Sequence, residues 1–283
     1  YFGQTAVTGE TSLENQCLDP NVDIAILAFV TVFDGPGGYP TVNFGAACGG
    51  QSQAQVDAGA SGLLYCPILA ANITACQNLG KKVLLSLGGA SASSTFSSAT
   101  DATNFANTLW ELFGAGTPSN EDLRPFGSVQ VDGFDIDNES NNPDYYGVFA
   151  SSLRALFATA SKTYYLSAAP QCPRPDASIP EDALALADFV WPQFYNNYCD
   201  IGTSYFESSV AAWSADVVAN NTVGGMLLVG VLAWSGGGSG YVDESTLTTD
   251  LEAVKGDARF GGVMLWDGSE GHANVDANGN NYV

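Results

Sequence analysis

Histidine is nearly missing from this chain: His272 is the single one in 283 residues. A Ser-His-Asp triad or a multi-histidine metal centre would have to rest on that residue, which lies in a Gly-rich tail and reads as a surface histidine. Positive charge is scarce too, with eight Lys and Arg against thirty Asp and Glu and a formal charge of −22. Such a chain repels phosphate backbones and anionic bilayers, which argues against nucleic-acid partners and reads first as solubility in an acidic exterior. No apolar run reaches about 18 residues, so no membrane insertion is expected. Neither GxxxxGK[ST] nor a strand-linked GxGxxG occurs, and Gly236-Gly237-Gly238 reads as a flexible segment. No cofactor is expected.

Cysteine is present, but without CxxC spacing: Cys17, Cys48, Cys66, Cys76, Cys172 and Cys199 form an even set. That pattern fits disulfides, hence an oxidising compartment, better than zinc or redox chemistry. Sequons at Asn72, Asn138 and Asn220 point the same way. The protein is expected to be secreted, extracellular or in a cell wall, and monomeric. No secretory leader precedes Tyr1, and both ends read as trimmed close to the fold.

Short apolar runs recur between helix-like stretches: Ile24–Val32, Val83–Leu87, Val131–Asp137, Tyr164–Ala168, Phe189–Phe194, Met226–Val231 and Val263–Trp266. Between them, apolar residues fall at helical spacing in Phe105–Phe113, Tyr146–Ala160, Ser208–Val218 and Thr246–Arg259. Taking Tyr1–Gly3 as one more strand brings the count to eight. The alternation predicts a single α/β domain over residues 1–283, a (β/α)₈ barrel without an inserted α+β domain. Gly-, Ser- and Asn-rich segments after the strands would be loops of the catalytic face, around an open, shallow cleft.

The most informative segment is Val131-Asp132-Gly133-Phe134-Asp135-Ile136-Asp137-Asn138-Glu139. On a strand, Asp135, Asp137 and Glu139 project to one side, roughly 6–7 Å apart. Buried like charges resist ionising together, so Glu139 can hold a proton as general acid while Asp137 and Asp135 act as its electrostatic relay. A calcium loop would need a Gly at its turn and a distal bidentate Glu, which are missing. A solvated acidic face is opposed by Phe134 and Ile136 on the other side of the strand. Asp276-Ala-Asn278-Gly-Asn280 is also calcium-like and reads as a turn. Tyr1, Tyr195, Trp234 and Trp266 fall at or just after strand ends, where aromatic faces stack on sugar rings.

These residues resemble glycoside hydrolase family 18: Asp132, Asp135, Asp137 and Glu139 match DxxDxDxE, and Ser86-Leu87-Gly88-Gly89 matches SxGG. Tyr-Phe-Gly-Gln at the start, Ala-Pro-Gln-Cys at 169–172, Gln-Phe-Tyr-Asn at 193–196 and Met-Leu-Trp-Asp at 264–267 look like the class III, hevamine-like chitinases of plants and fungi. The resemblance implies a retaining endochitinase acting on chitin or chitooligosaccharides, with the substrate's own acetamide as nucleophile. It implies Glu139 as acid/base, Asp137 orienting the acetamide, Asp135 tuning Asp137, Tyr195 bonding the acetamide oxygen and Trp266 flooring the subsite. Tyr1, Gln4, Gly89, Ala90, Gln193 and Asn196 match positions lining the family's cleft. Asn138 and Leu232 depart from the pattern; Asn138 should face the helices, and Leu232 should reshape a loop beside the cleft. The resemblance also implies disulfides Cys17–Cys76 and Cys172–Cys199, which leaves Cys48 for Cys66. An endo-β-N-acetylglucosaminidase acting on N-glycan cores carries the same signature, and a silent lectin or inhibitor on the same barrel is a third reading.

Overall fold

Runs that are apolar without alternation, such as Ile24–Val32, have no face to offer water and belong in a sheet covered on both sides. In the computed structural model, which describes residues 1–4 and 12–283, the strands are β1 (Ile24–Val32), β2 (Thr41–Val42), β3 (Lys82–Gly88), β4 (Gly133–Asp137), β5 (Tyr165–Ala168), β6 (Phe189–Val190), β7 (Met226–Leu232) and β8 (Phe260–Trp266). Their order is β2-β1-β3-β4-β5-β6-β7-β8. All pairs are parallel except β2, a short antiparallel addition to β1. Tyr1 and Phe2 supply the remaining stave. Phe2 N donates to Ile26 O at 2.8 Å and Ala28 N to Phe2 O at 2.9 Å, while on the other side Gly268 N donates to Tyr1 O at 2.9 Å. The (β/α)₈ barrel expected from the alternation is the fold observed.

Around it lie α1 (Leu13–Cys17), α2 (Gln53–Asp57), α3 (Pro67–Asn78), α4 (Ala99–Phe113), α5 (Tyr146–Phe157), α6 (Glu181–Leu184), α7 (Phe206–Asn220), α8 (Glu244–Val254) and α9 (Gly268–Ala273). Periodicity does not mark α3, because Ile68, 74% exposed, blurs its apolar stripe. α8 ends short of the expected Arg259: its cap at Lys255 is followed by Gly256, where a helix readily stops. Ile26, Ala28, Leu84, Trp191, Leu228 and Met264 fill the barrel interior, and a second, larger apolar layer seals the helices to its outside.

Cys17–Cys76 joins α1 to α3, Cys48–Cys66 closes the segment after β2, and Cys172–Cys199 ties the loop after β5 to the loop after β6. His272 is not the surface residue its Gly-rich surroundings suggest. α9 packs back on α1, leaving the side chain 14% exposed, with Nδ1 2.8 Å from Gly268 O and Nε2 3.5 Å from Asp19.

Candidate active site

The file of acids follows from strand parity. Asp135 lies in β4 directly between Ser86 of β3 and Ser167 of β5. It is fully buried and accepts three hydroxyls: Ser86 Oγ at 2.6 Å, Tyr1 Oη at 2.8 Å and Ser167 Oγ at 2.7 Å. Trp191 Nε1 in turn donates to Tyr1 Oη at 3.2 Å. Burial nevertheless pushes the Asp135 carboxyl above its ordinary range, against those three hydrogen bonds. Asp132, of the opposite parity, takes no part. It accepts Val83 N and Gln77 Nε2, both at 3.0 Å, and pairs with Lys162 at 2.9 Å, fastening the start of β4 to its neighbours.

One step up the strand, Asp137 is 4% exposed and accepts Gln193 Nε2 at 3.0 Å. Burial, then the negative charges of Glu139, Asp135 and Asp176, raise its carboxyl well above the usual range. Glu139 is half-buried. Burial raises its carboxyl, the Gln193 amide opposes this, and the charge of Asp176 adds to it. A row of desolvated carboxyls at this spacing cannot all ionise together, so at least one proton stays in the row. Tyr195 is buried to 6% exposure, and burial with the charges of Asp137, Glu139 and Asp135 keeps its hydroxyl firmly protonated.

Asp137, Glu139, Gln193 and Tyr195 open into one cavity of about 270 Å³, together with Gln4, Gly89, Ala90, Asn196 and Trp266. Gln4 is held by three carbonyls, those of Gly3, Ala28 and Asn43, at 2.8–2.9 Å. Asn196 adopts a left-handed φ of 59°, and its Oδ1 accepts Ser239 N at 2.8 Å, fastening the loop after β7. Trp266 stacks on Phe29, with centroids 5.8 Å apart and planes at 23°, and meets Tyr1 edge-on at 5.4 Å. Tyr1 thus lies beneath the cavity and reaches Asp135. Trp234 is not in its wall: the ring lies against Gly236 and Gly237, and of these Gly237 lines the cavity. Leu232 is buried and packs towards Gly237, so it does bear on the loop beside the cavity.

The SxGG segment has a steric reason. A Cβ on Gly88, at φ 122°, would stand 2.0 Å from Asp137 O, and Gly89 N donates to that same oxygen at 2.8 Å. Glycine there lets β3 come close enough to hold the backbone between Asp137 and Asn138. Asn138 points away from the cavity: its Nδ2 donates to Asn142 O at 2.9 Å and Ser178 O at 2.6 Å.

Phe29, Thr31 and Ser91 also line the cavity, and Asp176 adds a fourth carboxylate whose charge reaches Asp137 and Glu139. None of these stands in a motif. The faint signal for Asp176 is a lone acid among prolines, in Cys-Pro-Arg-Pro-Asp after β5.

Among characterised proteins, the chain is 43% identical to an endochitinase of Saccharomyces cerevisiae over 287 residues, covering 100% of this chain and 48% of that protein. It is 42% identical to endochitinase 3 of Metarhizium robertsii over 289 residues, covering 100% of this chain and 87% of that protein. The chain spans about half the length of several curated relatives it matches. Among solved structures, the ICChI chitinase of Ipomoea carnea superposes with a TM-score of 0.80 at 32% identity, over 95% of this chain and 94% of the other. The family model of glycosyl hydrolases family 18 matches residues 1–231, and with these relatives it places the chain in that family.

Proposed function

We propose that this protein is a secreted, retaining endochitinase that hydrolyses β-1,4 bonds between N-acetylglucosamine units with the help of the substrate's acetamide. The observation that carries the reading is the cavity wall: among the described residues it holds two carboxylates, Asp137 at the end of β4 and Glu139 two residues beyond it, both from the same stave. A two-carboxylate glycosidase needs its acids on opposite sides of the scissile bond. With both on one side, the nucleophile has to come from the substrate.

Glu139, whose carboxyl is held up by burial, gives its proton to the leaving glycosidic oxygen. The acetamide carbonyl oxygen attacks the anomeric carbon as that bond breaks, forming a cyclic oxazolinium. Asp137 accepts the acetamide N–H and faces the developing positive charge, while the Tyr195 hydroxyl donates to the acetamide oxygen. Water then attacks the anomeric carbon from the face the leaving group vacated and loses its proton to Glu139. The β configuration is kept and the acetamide is restored. Trp266 offers its ring face to the sugar, and Gln4, Gly89, Ala90, Gln193 and Asn196 complete the wall. Three disulfides in a chain of this size suit an oxidising exterior.

The test is a chitin hexamer digest followed by anomer-resolved chromatography. Expected are β-anomeric oligomers from internal cuts, inhibition by a thiazoline analogue of the intermediate, and little cleavage of a substrate lacking the acetamide. Glu139→Gln should lower turnover by about 10²–10⁴ with oligomer binding retained. Initial α-anomers, or near-normal turnover in Glu139→Gln, would refute the assignment.

A further inference from the structure

Resting on that reading of Glu139, we propose that Asp176, outside the DxxDxDxE segment, is a positioning residue for the Asp137 and Glu139 pair, acting through the loop it folds and through its charge. The loop runs from β5 to α6. Asp176 Oδ2 accepts Gln171 N at 2.7 Å, and Oδ1 accepts Ser178 N at 2.8 Å and Ile179 N at 2.6 Å. One carboxylate therefore gathers backbone donors from both ends of the segment, and Cys172–Cys199 anchors it to the next loop.

Each end of the segment reaches an acid. Gln171 Nε2 donates to Gln193 Oε1 at 2.9 Å, and Gln171 Oε1 accepts Asn197 Nδ2 at 2.7 Å. Because Gln171 donates, Gln193 must present its oxygen to Gln171 and its NH₂ to Asp137, 3.0 Å away. The reverse flip would set Gln193 lone pairs against a carboxylate. At the other end, Ser178 O accepts Asn138 Nδ2 at 2.6 Å and Ser178 Oγ accepts Asn141 N at 2.9 Å. Those two residues flank Glu139, so the loop clamps the acid's backbone from both sides.

The charge acts in the same direction. Glu139 is faced by Asp137 from β4, by Tyr195 after β6 and by Asp176 from the β5 to α6 loop. The cavity lining holds no cation among the described residues. Burial raises the Asp176 carboxyl itself, and the three backbone N–H groups and then the charge of Arg174, which also pairs with Glu181 at 3.0 Å and with Asp216, oppose that and favour its ionised form. A like charge at Asp176 thus favours the protonated form that Glu139 needs as an acid. Asparagine would satisfy this loop less well, since its NH₂ would oppose one of the three N–H donors, and it would carry no charge.

The deciding experiment titrates the Glu139 carboxyl by ¹³C NMR, assigned by its loss in Glu139→Gln, in wild type and Asp176→Asn. The same proteins are assayed for kcat and KM against pH on chitin hexamer. Expected in Asp176→Asn are a Glu139 midpoint moved to lower pH, an alkaline limb of kcat/KM that follows it, and a kcat lowered about tenfold with KM nearly unchanged. An unmoved midpoint and limb in the folded variant overturn the proposal, whatever the change in stability. If Asp176→Asn does not fold, Gln171→Leu removes the side-chain link to Gln193, and the double variant Asn138→Ala/Ser178→Ala removes both links beside Glu139; wild-type kcat in both proteins overturns it. Absence of any wild-type turnover would instead sink the chitinase reading, and the NMR titration would still decide the part played by Asp176.

Discussion

Asp137→Asn should make the protein more stable at neutral pH while abolishing most of its activity. Asp137 is 4% exposed, and its carboxyl is raised chiefly by burial, then by the charges of Glu139, Asp135 and Asp176, with Gln193 offsetting only part. The native state therefore holds this proton more tightly than the unfolded chain. Its stabilising contribution is full below the unfolded value of about 3.9 and is lost as pH rises through the raised native value. Each unit of separation amounts to about 1.4 kcal/mol at a pH above both values. Asn conserves volume, can still accept from Gln193 and can donate to Glu139, so removing the charge should return about 1–2 kcal/mol, the usual scale for relieving a functional site. An unfolding entropy of about 2.1 cal/mol/K per residue over 283 residues is about 0.6 kcal/mol/K. Tm should then rise by about 2–3 °C at pH 7. Calorimetry at pH 7 and pH 4, beside hexamer turnover, checks this: the gain should shrink at pH 4, where wild-type Asp137 is protonated on folding. A lower Tm at pH 7, or an equal gain at both, would show that the buried charge is not what destabilises the site.

Cys17 and Cys76 are separated by 59 residues, a loop whose closure is worth about 4 kcal/mol on the chain-entropy estimate. Replacing both by Ser should lower Tm by about 7 °C on the same entropy scale, and a loss below about 1 kcal/mol in equilibrium denaturation would contradict it. Gly88→Ala would bring a Cβ against Asp137 O at a φ of 122°, so folding yield or kcat must fall; wild-type values of both would refute the steric reading of SxGG. Glycopeptide mapping of the protein expressed through a eukaryotic secretory pathway should find Asn138 bare, since it is 2% exposed with both amide hydrogens engaged, and glycan, where present, on Asn72 or Asn220.

Much of the barrel was legible because parallel strands buried on both faces leave unbroken apolar runs, and the row of acids because strand periodicity is two. Parity alone sets Asp132 apart from Asp135, Asp137 and Glu139, and Asp132 indeed serves the start of β4, not the cavity. His272 misled, since a lone polar residue in a Gly-rich tail carries no sign that α9 will fold back onto α1.

The amino-acid sequence by itself determined which acids share a face, because that follows from covalent geometry along one strand. The glycines after Ser86-Leu87 stood out only through the resemblance to the family's SxGG, and their steric cause, the approach of Gly88 to Asp137 O, belongs to the tertiary structure. Which groups would surround those acids was decided only by the tertiary structure. Ser86, Ser167 and Tyr1 reach Asp135 from three separate staves. Gln193 and Asp176 come to Asp137 and Glu139 from two loops held by a disulfide. Proton affinity depends on desolvation and on charges within a few ångströms, whatever their distance along the chain, and closure of the barrel is what brings those groups within reach.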